Sequence, residues 1–209
     1  MISPNDIQVT KTDLGLFSTI LVITNLVNHQ LRKTPLLDDD WKNFSIATLV
    51  GVVVHSLLTN KLSSGLKEHL NSNDSGINMA LYDLVKFSTI FGAQKLVVSH
   101  LEGNKPDFDQ EWLMRSGLTI AGYGAFSIAV QSMMPKVNSK YQPLLDDLVK
   151  ISMGGLLANF ILDGTITNDR FKELIGLLAS FVIFHIFVKQ HIVPPEKFGS
   201  YGAFSVNAI

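Results

Sequence analysis

Asp13, Asp83 and Asp147 each head an apolar segment, and each is followed five residues later by a serine: Ser18, Ser88 and Ser152. Twelve residues after each Asp, inside the apolar run, stands Asn25, Lys95 or Asn159. Carboxylates, amides and a cation in such surroundings are the chemistry for holding ions or polar solutes away from bulk water, since a charge in hydrocarbon is costly unless paired or wetted. Lys95, with Gln94 beside it, is the most anomalous of them. Its expected partners are Asp83, Asp147 or a neighbouring subunit.

On a helix turning about 100° per residue, the Ser lies about 140° and the Asn or Lys about 120° from its Asp, so the two share one face. The first reading of that face is interhelical hydrogen bonding, at about 0.6 kcal/mol per contact. The second is a polar line towards a central cavity. For the acids, Lys86 and Lys150 stand three residues beyond Asp83 and Asp147, a spacing for ion pairs within one helix, whereas Asp13 has Leu16 there and lacks that partner. The acids are expected near headgroups, at the positive ends of helix dipoles. Three acids around an axis forming a cation or proton site is the alternative.

His55 and His185 occupy matching places near the ends of two apolar segments, and Phe126 fills the third. Two His and a Phe are not a metal's ligand set. Cysteine is absent, so there is no thiolate site or disulfide framework. Phosphate-cradling glycine loops, zinc-protease motifs and nucleophile elbows are also absent. No enzyme, metal or cofactor is expected.

The positions that align these residues belong to a unit met three times. Each unit has an Asp-led apolar segment, a polar loop, a capping residue, an aromatic and a second apolar segment. The caps are Asp38, Asp109 and Asn168, each three residues before an aromatic: Trp41, Trp112 and Phe171. Pro35 and Pro106 lie six residues before the tryptophans. Such repetition dictates architecture. The side-chain oxygens of the caps suit the free N–H groups of a helix's first turn. Trp41 and Trp112 then fall at interfacial depth, as anchors with the indole N–H among headgroups. A tryptophan-lined gate is the less favoured reading of them.

Hydrophobic residues make up 46% of the 209-residue chain and charged residues 17%, with the apolar residues gathered in segments 16–31, 44–59, 79–101, 115–134, 148–163 and 173–190. Each approaches the length a helix needs to cross hydrocarbon. Residues 44–58 and 174–188 are apolar around the whole circumference, and a soluble domain of this size could hardly bury six such helices on all sides. The expectation is an all-α, polytopic membrane protein: six transmembrane helices as three tandem two-helix hairpins around a pseudo-threefold axis.

The divisions expected are a polar segment 1–12, hairpins 13–59, 79–134 and 147–189, connectors 60–78 and 135–146, and an extended tail 190–209. The short connector 60–78 reads as an amphipathic surface turn and a polar link. The matched Gly51 and Gly122, with Gly92, Gly117, Gly124, Gly154 and Gly155, are expected to let helices approach closely. Six spans leave both termini on one side. Nine basic residues on that side, Lys189 among them, against seven at the hairpin tips lean slightly to cytoplasmic termini. No cleavable signal is expected before the first span.

The net charge of −1 and scattered basic residues give no reason to expect nucleic acid. The plan resembles that of mitochondrial carriers. Their Pro-x-Asp/Glu-x-x-Lys/Arg signature is absent, however: the odd segments offer Asp-Leu-Val-Lys, and the repeats are shorter. The leading functional expectation is a structural scaffold of the bilayer that packs with copies of itself or with a protein shell, docking through the tail residues Phe198, Tyr201 and Phe204. The internal membrane of a large icosahedral virus would suit it. The alternative is a small transporter or channel using Lys95, Asn25, Asn159 and the Asp trio.

Overall fold

The computed structural model describes the backbone of residues 4–70, 75–133 and 142–192, and no strand occurs among them. The elements are α1 (Pro4–Arg32), α2 (Asp39–Leu70), α3 (Ser75–Leu101), α4 (Gln110–Met133), α5 (Gln142–Asp163) and α6 (Asn168–Ile183). A π-helical turn, Phe184–Val188, and a last α turn, Lys189–Ile192, prolong α6. Every helix starts before its apolar segment, and two overrun theirs the furthest. α1 starts at Pro4, a residue suited to a first turn, and α2 runs on through the polar stretch expected as a surface connector. Hydropathy marks where a helix meets apolar surroundings. It does not mark where the backbone stops being helical.

Each tip is built from local chemistry. Asp38 Oδ1 and Asp109 Oδ1 accept from the backbone N–H of Trp41 and Trp112, both at 2.7 Å, as N-caps. In the third tip the expected cap, Asn168, is instead the first helical residue, and Thr167 is the N-cap, its side chain accepting from Arg170 N at 3.3 Å. The third loop is shorter than the other two, so its cap slips one position towards the chain's start. Two non-glycine residues of the first tip, Lys33 (φ 60) and Leu37 (φ 57), are left-handed, whereas the second and third tips use Gly103 (φ 71) and Gly164 (φ 67).

Consecutive helices pack side by side and α1 packs against α6, so the six close into a ring. Glycines set three seams. A Cβ on Gly51 would stand 2.8 Å from the Ile90 carbonyl oxygen, one on Gly122 3.2 Å from that of Gly154, and one on Gly176 3.3 Å from the Thr24 Cα. Thus α2 meets α3, α4 meets α5, and α6 meets α1 at backbone distance. By contrast, Gly92, Gly117 and Gly155 have nothing within 4 Å of an added Cβ and take no part in close packing.

Large apolar side chains lie on the outside while several charged ones lie within. All six helices expose large apolar residues: Leu26, Val53, Leu96, Ile128, Leu157 and Phe187 are among them, the last 58% exposed. Inside lie Asp13, Asp83, Lys86, Asp147, Lys150 and Lys189, each 3% exposed or less. Buried as well is an apolar cluster that includes Leu16, Phe17, Val52, Phe87, Ile90, Ile151, Phe181 and Phe184. Contiguous apolar surface of this extent marks contact with lipid or partners. Among the described residues, three helical segments, Thr10–Arg32, Asp39–Leu58 and Asn168–Ile192, are long and apolar enough to cross a membrane.

Candidate functional site

The buried charges form a belt that links one helix to another. Lys86 Nζ on α3 donates to Asp13 Oδ1 on α1 at 2.6 Å. Lys150 Nζ on α5 lies 3.9 Å from Asp83 Oδ2 on α3, and Ser127 Oγ on α4 donates to that same oxygen at 2.5 Å. His185 Nε2 in the π turn lies 3.0 Å from Asp147 Oδ2 on α5, and Lys189 stands within electrostatic reach of Asp147. The spacing of Asp and Lys had predicted pairs within single helices. The structure pairs each lysine with the aspartate of the preceding odd helix, so Asp13 has the partner that same-helix spacing denied it. The reason is geometric: at i+3 a side chain lies on the same helix flank but points about 60° away, across the interior.

Asp147 has no lysine on α1 to turn to, because the matching position is Leu16. α6 supplies the substitute. A π turn inserts one residue and rotates the rest of the helix by about 100° relative to a continued α-helix. The inward face of α6 carries Phe181 and Phe184, and one inserted residue brings Lys189 rather than Val188 onto it; Lys189 is 1% exposed and Val188 half-buried. His55, 1% exposed on α2, completes the belt. Oδ2 of Asp13 and Oδ1 of Asp83 are enclosed and accept no hydrogen bond among the described residues. Leaving such acceptors unmet costs about 1–3 kcal/mol each, more for charged groups. Stability alone does not ask for this arrangement.

The second feature is a cavity of about 530 Å³ near the hairpin tips. Asn159 lies twelve residues beyond Asp147, or about 18 Å along α5 from the belt. The walls come from four helices and a loop: Ile20, Leu21, Thr24, Asn25 and Asn28 of α1; Pro35 and Asp38; Trp41 and Phe44 of α2; Asn159 of α5; Arg170 and Glu173 of α6. Trp41 is held in the wall, its Nε1 donating to the Leu21 carbonyl at 3.2 Å, so its indole N–H faces a helix rather than headgroups. Trp112 is half-buried at its own tip, 5.1 Å from the Phe108 ring. The charges at this end cancel in part: Arg32 and Arg170 both bind Glu173, at 2.6 Å and 3.0 Å. Oδ1 of Asn25 and Oδ1 of Asn28 are enclosed without a hydrogen-bond partner among the described residues.

Of the polar face expected on the odd helices, the cavity gathers Asn25 and Asn159 only. Ser18 and Ser152 are half-buried, Ser152 bonding its own helix at Leu148 O, and Ser88 is exposed. Gln94 Nε2 donates to Thr48 Oγ1 at 2.6 Å and so pins α3 to α2. Lys95 is half-buried and forms no ion pair among the described residues; its expected partners Asp83 and Asp147 are engaged by Lys150 and His185. Phe198, Tyr201 and Phe204 lie outside the described residues. The roles of Lys189, Ser127, Asn28 and Glu173 were missed from the sequence, and His185 stood out there only as a repeat-matched histidine, without Asp147 as its partner. No family model, curated protein or solved structure matches the chain.

Proposed function

We propose that the chain is a six-span membrane protein, three hairpins around a pseudo-threefold axis, whose interior is a solute passage closed at one end. Both termini lie on the belt side of the bilayer, and the cavity opens at the hairpin tips on the other. The observation that carries this reading is the pairing of a polar-walled cavity at one end with a cross-linked ionic belt at the other, inside a ring whose exterior is apolar. Buried ion pairs add little to stability compared with apolar packing. Inside a membrane such groups usually mark a path for ions or solutes.

The belt acts as the closure. Lys86–Asp13 and Lys150–Asp83 each join two different hairpins, so opening requires these pairs to part. The seams between hairpins are the ones packed at backbone distance by Gly51, Gly122 and Gly176. Hairpins therefore move against one another as bodies only if those seams slide. A bilayer scaffold would need the same apolar exterior, but it gives the unmet carboxylate oxygens and the asparagine-lined cavity no role.

Flux through proteoliposomes tests the proposal. Vesicles holding the protein should pass small polar solutes faster than empty vesicles, and Asn159→Leu should slow that flux at least tenfold. Vesicles as tight as empty ones towards every solute would refute it, and the scaffold would then stand as the better account.

A further inference from the structure

We infer that the tip-side cavity selects a small uncharged solute rich in hydroxyl groups, a sugar or polyol, over anions and cations of similar size. The inference rests on the cavity being the entrance of the passage proposed above. Its volume, about 530 Å³, lies within the about 300–1,000 Å³ of small-molecule sites. What decides the class is the state of the polar groups in the wall.

The charged groups there are already engaged. Glu173 is shared between Arg32 and Arg170, and Asp38 accepts from the Trp41 backbone N–H as the cap of α2. An anion would have to draw Arg170 from Glu173, and a cation would meet Arg170 at the mouth. The groups left to bind a solute are amides. Asn25 and Asn28 line the cavity with Oδ1 enclosed and without a partner among the described residues, so the groups they leave open to a solute are amide N–H donors. Asn159 stands across the cavity. Each amide carries two N–H donors. Donors of this kind match a hydroxyl, whose oxygen accepts. The rest of the wall, Ile20, Leu21, Trp41 and Phe44 among it, is apolar and suits the C–H face of a sugar ring.

The test uses the two tryptophans of the chain. In a Trp112→Phe protein held in lipid nanodiscs, Trp41 is the sole indole and sits in the cavity wall. Titration with glucose and myo-inositol should change its emission to saturation, while citrate and spermidine should bind at least tenfold more weakly. Asn28→Leu should weaken the polyol response at least tenfold, and Asn28→Gln should retain most of it. A tighter response to citrate or spermidine, or no saturable response to any of the four, would overturn the inference. The same protein in proteoliposomes separates the two claims. Uptake of citrate or spermidine but not of polyols would sink the solute class and leave the passage, whereas polyol binding without uptake would sink the passage and leave the class.

Discussion

Removing one partner of the Asp13–Lys86 pair is the sharpest structural test of the belt. The side chains of Lys86 and Asp13 are only 1% and 4% exposed and meet at 2.6 Å, so neither charge is screened by bulk water. Lys86→Met leaves Asp13 as an uncompensated buried charge, and losses of that kind amount to about 3–5 kcal/mol. For a chain of this length about 2–4 °C of melting temperature accompanies each kcal/mol, which gives a fall of roughly 6–20 °C. Adding Asp13→Leu removes the stranded carboxylate and replaces the pair with two apolar chains of similar shape. The double variant should then recover most of the loss, because an apolar replacement of a buried pair is often neutral or stabilising. Intrinsic tryptophan fluorescence during thermal unfolding in detergent reads both. A single variant as stable as the parent, or a double variant no better than the worse single, would refute the pairing. By comparison Arg32–Glu173, with side chains 26% and 34% exposed, should contribute no more than about 1 kcal/mol.

The seams and tips give further outcomes in the same unfolding assay. Gly51→Ala forces a methyl to within 2.8 Å of the Ile90 carbonyl and should destabilise by about 1–3 kcal/mol, whereas Gly92→Ala meets nothing within 4 Å and should be neutral or gain up to about 1 kcal/mol in helix propensity. Thr167→Ala should cost about 1 kcal/mol by removing the cap of α6, while Asn168→Ala should change stability by a few tenths; a reversed order would return the cap to Asn168. Lys33→Gly should stabilise by about 1 kcal/mol, since Lys33 holds φ 60 where the second tip has Gly103.

Much of the secondary structure could be read from the sequence because it obeys local rules. The apolar segments, the caps Asp38 and Asp109, and the tip prolines all rest on residues close in the chain. The start of α1 and the end of α2 could not: Pro4 suits a first turn but does not require one, and nothing in the polar, proline-free residues 60–70 says that a helix must stop. The belt was half legible. Asp13, Asp83 and Asp147 stood out by spacing, but their partners depend on which helix lies across the interior, and a same-helix spacing was the only geometry the sequence offered. Lys189 was hidden by its position at the very end of the last apolar segment, where a lysine ordinarily reaches headgroups; only the π turn brings it inside. Asn25 and Asn159 were legible as a polar position, yet their association with Asn28, Trp41 and Glu173 is set by how four helices converge. Lys95 shares their place in the repeat and is absent from the cavity wall, so equal register did not secure equal surroundings.

The passage requires hydrocarbon to meet the outside of the ring while the ions stay within it. The absence of cysteine allows one cysteine at a time to be placed and spin-labelled, at Leu26, Val53, Leu96, Ile128, Leu157 and Phe187, one on each helix. Power-saturation spectroscopy on the protein in liposomes then compares access of oxygen, which concentrates in hydrocarbon, with access of a water-soluble nickel chelate. High oxygen and low nickel access is expected at all six positions. High nickel access at the positions on α3, α4 and α5, with oxygen dominant only on α1, α2 and α6, would contradict six spans and with them the passage.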